Sequence, residues 1–214
     1  MRILGLLTLA VAFTTLATSC SKKTRDESAS AAPDAITTIM NRKSVRNYTA
    51  DTLPAGMTEK LLRAAMAAPS GMDVRPWRFV VLTDKTQYDS IFAGNFNLDM
   101  YKRSAAVVIF CADTTVTRPP RENPQGAPVT QPNSIWRDDM GACVENFLLA
   151  VEANGLGACW TACYPYADRM NPIRTTLQLP GEIVPYCVVP VGYPTGENQV
   201  KDKWNPDNIH YGKW

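Results

Sequence analysis

Histidine is almost missing from this chain: His210 is the only one in 214 residues. A serine or cysteine nucleophile would have to borrow its base from that position, in a tail without core periodicity. No Gly-x-Ser-x-Gly elbow is present either. Those two absences exclude hydrolase chemistry, and no histidine or cysteine spacing suggests a zinc site. An excess of one charge is missing too. Lys and Arg total 22 against 20 Asp and Glu. No basic run is interleaved with aromatics, which argues against a nucleic-acid partner. There is no internal repeat. A dinucleotide fingerprint is also lacking, because Gly155-Leu-Gly157 follows a helical pattern rather than a strand and has no third glycine. The apolar run Ile3–Leu16 is too short to stay in a membrane as an ordinary spanning helix.

That run follows the single positive charge of Arg2 and leads into Ala17-Thr-Ser-Cys20. It reads as a bacterial lipoprotein signal peptide over residues 1–19, with cleavage before Cys20 and lipid on its sulfur. Ala17 stands where leucine is more usual, and plain secretion is the alternative. Lys22, Lys23 and the Ser/Ala-rich stretch 28–32 read as a solvated tether over residues 20–33. The expected address is the bacterial cell envelope, on a periplasm-facing membrane surface. Residues 34–214 are then one domain by the usual size prior. With Cys20 acylated, Cys111, Cys143, Cys159, Cys163 and Cys187 remain, and most fall in apolar patterns. Buried free thiols are the preferred reading. Cys159 and Cys163 are four apart, which leaves a disulfide between them as the alternative.

Along the chain, Pro33 opens a short helix with Ile36, Ile39 and Met40 at helical spacing, ending near Asn41. Met57–Ala68 predicts a second helix, burying Leu61, Leu62, Ala65 and Met66 and ended by Pro69. Phe79–Leu82 predicts a strand, and Asp84 caps a helix through Ile91. Ala105–Cys111, apolar throughout, predicts a central strand covered on both faces. From Asp113 to Arg137 five prolines, at 119, 120, 124, 128 and 132, break any period, giving a long loop suited to a substrate lid. Asp138 and Asp139 then open a helix with Met140, Cys143, Val144, Phe147, Leu148 and Val151 on its apolar stripe. Its other face carries little charge, so it is expected against the core or another subunit. Cys159–Thr161 predicts a short strand, Asn171-Pro172 the start of a helix through Leu179, and Ile183–Val191 an irregular or edge strand. The aromatics Trp204, Tyr211 and Trp214 lie on a patternless tail and need something to pack against, such as a partner subunit. This order fits an α+β layered domain.

Two short stretches carry the chemistry. Arg42-Lys-Ser-Val-Arg46 packs three cations and a hydroxyl into five residues, enough to bind a phosphate by charge-assisted hydrogen bonds. Pro69-Ser-Gly-Met-Asp-Val-Arg-Pro-Trp77 is a polar turn locked by proline at both ends. Further on come Gly155-Leu-Gly157, Trp160-Thr-Ala-Cys163, Val189-Pro-Val-Gly-Tyr-Pro194 and Lys201-Asp-Lys203. In that order these elements resemble the nitroreductase family of FMN-dependent oxidoreductases, over about residues 36–214. The resemblance implies a central mixed sheet flanked by helices, a homodimer, and a C-terminal tail reaching the partner subunit.

It also implies roles. Arg42, Ser44, Lys201 and Lys203 would hold the FMN phosphate, with Lys43 beside them. Arg46 would lie near the pyrimidine side of the flavin and stabilise the charge that appears there on reduction. Pro69, Ser70, Gly71 and Asp73 would reach the flavin from the neighbouring subunit. The turn Trp160, Thr161, Ala162 and Cys163 would offer flavin N5 a backbone N–H, from Ala162 or Cys163. Two residues depart from the family pattern: Asp73 replaces Asn and Arg75 replaces Gln. An ionised Asp only accepts hydrogen bonds, so an ion pair from Asp73 to an arginine is expected. The implied activity passes a hydride from NAD(P)H through the flavin to a nitroaromatic, quinone or similar acceptor. Nicotinamide is scarce outside the cytoplasm, so another donor is an open alternative. So are a flavin-dependent dehalogenase or dehydrogenase of the same fold and a flavin-binding lipoprotein without turnover.

Overall fold

The computed structural model describes residues 34–214; the expected signal peptide and tether, with Cys20 and Pro33, lie outside the described residues. Helix α1 (Ala35–Asn41) starts at Asp34, whose carboxylate accepts the N–H groups of Ile36 and Thr37. Helix α2 (Met57–Met66) enters from Gly56 in the left-handed region. Strand β1 (Trp77–Leu82) follows, then a 3₁₀ turn capped by Asp84, α3 (Tyr88–Ile91) and α4 (Leu98–Arg103). Strand β2 spans Ala106–Asp113. The expected loop 113–137 instead forms a hairpin of β3 (Thr115–Arg118) and β4 (Val129–Pro132). Its prolines lie in the hairpin's connection and last strand, with no sheet neighbour beyond them, so the missing N–H groups cost little.

Helix α5 (Trp136–Ala153) is the longest and packs against α2 and the sheet. Strands β5 (Gly157–Ala158) and β6 (Thr161–Ala162), helix α6 (Ala167–Thr176) and strand β7 (Ile183–Gly192) complete the order. Helix α6 begins four residues before the expected Asn171, and Pro172 sits inside it. Asp168 in the first turn supplies the N-terminal carboxylate that favours this earlier start.

The main sheet runs β1-β2-β7-β5, with β6 also on β7, and every strand pairing is antiparallel. The expected mixed sheet survives only as one parallel bridge, Ser44 to Ala158. Strand β2 is central as expected. Strand β7 is central too, not an edge, and its irregularity is a bulge: Phe110 pairs with Cys187 but Cys111 with Pro185, leaving Tyr186 over.

Residues of β2 alternate between two cores. Val108, Phe110 and Ala112 face α2 and α5, while Val107, Ile109 and Cys111 face α3, α4 and α6. All five described cysteines are free and buried, as the sequence reading preferred. Burial pushes the thiols of Cys111, Cys143 and Cys163 up to about 12, and those of Cys159 and Cys187 upward as well. Met66, expected inside, is half exposed, and Ile36, Ile39 and Met40 also face outward on the single chain. No helix among the described residues is long and apolar enough to cross a membrane.

Candidate anion-binding cleft

The basic cluster is clamped onto the sheet through its middle residue. Val45 is buried and donates its N–H to the Ala158 carbonyl at 2.9 Å. The approach is close because position 157 carries no side chain. A Cβ there would lie 2.7 Å from Val45 Cβ and both its methyl carbons. The Gly155-Leu-Gly157 stretch therefore has three separate tasks. Gly155, at φ 70°, turns the chain out of α5; Leu156 is buried; Gly157 makes room for Val45. With Val45 pointing inward, Ser44 and Arg46 flank it on the open side.

The far end of the chain is fastened to the same segment. Tyr48 bridges to Pro194, Thr49 donates to the Tyr193 carbonyl and Thr195 to the Asn47 carbonyl. Glu197 accepts from Asn47 at 2.9 Å and from Thr195 at 2.6 Å, and these bonds hold its carboxyl below the usual range, the Thr195 bond foremost. That latch delivers Asn198, Gln199, Lys201 and Lys203 to a cavity of about 330 Å³ shared with Arg42, Lys43, Ser44 and Arg46. Residues some 160 positions apart thus line one cleft.

Its electrostatics are lopsided. Arg42 pairs with Glu145 at 2.8 Å and Lys43 with Glu152 at 3.5 Å, both acids on α5. Among the described residues Arg46, Lys201 and Lys203 have no carboxylate partner. The amide nitrogen of Asn198, a residue lining the cavity, is buried and finds no hydrogen-bond acceptor among the described residues. Ser44, two arginines, lysines and an unused amide are the donor set for a phosphate-like anion. Asn198 and the Glu197 latch were not anticipated. They are neutral or acidic residues in a tail without period, and nothing in their spacing marks them.

The other expected site residues lie elsewhere on the chain. Trp160 to Cys163 continue the strand that clamps Val45. Thr161 is buried, hydrogen-bonded to Tyr101 and to the Val188 carbonyl, and Ala162 is exposed. Cys163 donates its N–H to the Tyr186 carbonyl at 3.2 Å, which removes it as a free donor. Alternation in the antiparallel β6–β7 pair turns the Ala162 N–H away from β7, so Ala162 is the candidate that remains. Trp160, Tyr186, Trp136 and Tyr164 form a chain of edge-to-face contacts beside it, at 5.0 to 5.9 Å.

Pro69, Ser70, Gly71 and Asp73 do not line the cationic cavity of their own chain. They form a strained loop anchored on α5. Gly71 donates to the buried Asp139 carboxylate at 2.8 Å, and Arg75 donates its N–H to Ser70 Oγ at 3.0 Å. Met72, Asp73 and Arg75 are left-handed, at φ 53°, 55° and 53°. The expected ion pair of Asp73 is present, to Arg75, with Nε–Oδ1 at 2.6 Å. Hydrogen bonding to that arginine holds the Asp73 carboxyl below its ordinary value.

An antiparallel five-stranded sheet with helices on both faces, and a cation-lined cleft bordered by the C-terminal tail, define an α+β domain. The nitroreductase family model matches residues 39–128 and 93–193, and the chain belongs to that family. A solved structure from Bacteroides thetaiotaomicron, provisionally named NADH dehydrogenase/NAD(P)H nitroreductase, is 39% identical. The match covers 84% of this chain and 98% of that one, with a TM-score of 0.73. A Methanothermobacter thermautotrophicus protein with the same provisional name is 33% identical over 181 residues, 85% of this chain and 88% of its own. The Bacillus subtilis FMN reductase (NADPH) is 25% identical over 184 residues, 82% of this chain and 72% of its own.

Proposed function

We propose that this protein is an FMN-dependent oxidoreductase whose cationic cleft holds the flavin phosphate. The observation that carries the reading is the convergence of Arg42, Ser44 and Arg46 with Lys201 and Lys203 around one cavity. The fit is chemical as well as spatial. The cavity offers hydroxyl, guanidinium, ammonium and the buried Asn198 amide, and it carries more cations than acid partners. When bound, FMN supplies two-electron hydride chemistry. The chain's own part is binding and electrostatics. Arg42, Ser44, Lys201 and Lys203 fix the phosphate, Lys43 adds to the local field, and Arg46 lends positive charge towards the ring. The Ala162 N–H is the main-chain donor offered to N5.

A nicotinamide donor and a nitroaromatic or quinone acceptor are the partners that the relatives' names suggest. The outward apolar residues Ile36, Ile39 and Met40 and the exposed tail aromatics Trp204, Tyr211 and Trp214 support a homodimer. In it, Ser70 and Asp73 of one copy would complete the flavin site of the other. A lipid anchor at Cys20 would hold this dimer at the envelope surface. Anaerobic titration of the purified protein tests the reading. A yellow protein that bleaches with NAD(P)H and recovers with a nitroaromatic or quinone supports it. A colourless protein that binds no added FMN refutes it.

A further inference from the structure

A second cavity, of about 270 Å³, lies between the strained loop and the proline-rich hairpin. Its walls are Met72, Arg118, Pro119, Pro120, Arg121 and Pro124. Three prolines and a thioether make those walls apolar, and the rings hold their backbone stiff. No carboxylate lines it. The Arg118 side chain is partly buried, yet its sole hydrogen-bond contact among the described residues is the Met72 sulfur, a weak acceptor. Arg121 has no acid partner there either. Met72 is held in the left-handed region, and strain of that kind is kept where surrounding contacts over-determine it. Here those contacts are the Gly71–Asp139 bond and the Ser70–Arg75 bond.

We infer that this cleft is a binding site for a small aromatic anion, a single ring bearing a carboxylate or a comparably charged group. The volume lies just below the usual range for small-molecule pockets, which suits one ring and excludes a nucleotide. Arg118 donates its forked N–H pair to the carboxylate that its own chain does not supply, and Arg121 adds positive charge. Met72 and the prolines sandwich the ring. The acids adjacent in sequence to its walls, Asp73 and Glu122, do not line the cavity, and Asp73 is paired with Arg75. Binding at this cleft stands apart from the proposed flavin site, with which it shares no wall residue.

The test is calorimetric titration of the FMN-loaded full-length protein with benzoate and, separately, with uncharged benzamide. Benzoate is expected to bind at least tenfold more tightly. Arg118→Gln should erase that preference, Arg121→Gln should reduce it several-fold, and Met72→Ala should weaken both probes alike. The two arginine variants should keep the FMN affinity of the parent protein. Equal binding of the two probes, no binding of either, or a benzoate preference that survives the Arg118→Gln, Arg121→Gln double variant would overturn the inference. Loss of FMN binding by the parent protein, with the arginine-dependent preference intact, would instead strike only the flavin reading.

Discussion

Replacing Gly157 by alanine adds one carbon, and the structure says where it goes. The new Cβ meets three Val45 carbons at 2.7 Å, whereas carbon atoms rest at about 3.5 Å or more. Strand β5 and the 42–46 segment must therefore part by about 0.8 Å. Such a movement stretches the 2.9 Å Val45–Ala158 hydrogen bond beyond useful length. Overpacking of this kind costs about 1–3 kcal/mol, and the weakened bond adds about 1 kcal/mol. For a chain of this size that lowers the melting temperature by roughly 4–16 °C. Because Ser44 and Arg46 flank Val45, FMN affinity should fall with it, and riboflavin affinity should fall less. Gly181→Ala is the control: a Cβ at Gly181 meets nothing within 4 Å, so its melting temperature should stay put. Thermal unfolding and flavin titration read both effects. A Gly157→Ala protein with the melting point and FMN affinity of its parent would refute the clamp.

Other outcomes follow from the same geometry. Hydrogen bonds from Thr195 and Asn47 lower the folded Glu197 pKa, so the latch is in place above the ordinary carboxylate value of 4.5 and is lost as pH falls through the folded value. Acid titration should therefore release FMN below that point, and Glu197→Gln should flatten the profile. The raised thiols work in the opposite direction. Unfolded cysteines ionise near 9 while the buried ones stay neutral, so stability should decline as pH rises through 9. In the native protein at pH 8 a thiol reagent should find none of the five, and all of them in denaturant. Asp73→Asn removes an anion that the proposed dimer sets beside the flavin. The midpoint potential should become more positive, and an unchanged potential would place Asp73 away from the ring.

Much of this architecture was legible in residue order. Unbroken apolar character marked β2 as central, and the spacing of Met140, Cys143, Val144, Phe147, Leu148 and Val151 marked α5. The failures have physical causes. Pro185 and Pro190 argued for an edge strand, but a bulge at Tyr186 absorbs the disturbance and keeps β7 in the middle. Pro172 suggested a helix start, yet Asp168 had already begun the helix. Ile36, Ile39 and Met40 share helical spacing, but that face of α1 turns outward on the single chain. Met66 lies at the exposed end of α2, while Leu61 and Ala65 of the same helix are buried. The cationic pairs at both ends could be read directly. What joins them could not: Gly157 works through an approach distance, and the Glu197 latch through hydrogen bonds between distant loops. Neither leaves a periodic trace.

The central claim is that both ends of the folded chain close on one phosphate. Parallel titration of FMN and riboflavin, into the parent protein and a Lys201→Gln, Lys203→Gln double variant, tests it most directly. Two charge-assisted hydrogen bonds are worth about 3–6 kcal/mol together, so the parent should prefer FMN by roughly 100-fold or more. The double variant should lose most of that preference while keeping its riboflavin affinity and melting temperature. Equal affinity of the parent for the two flavins, or a preference untouched by losing both lysines, would contradict it.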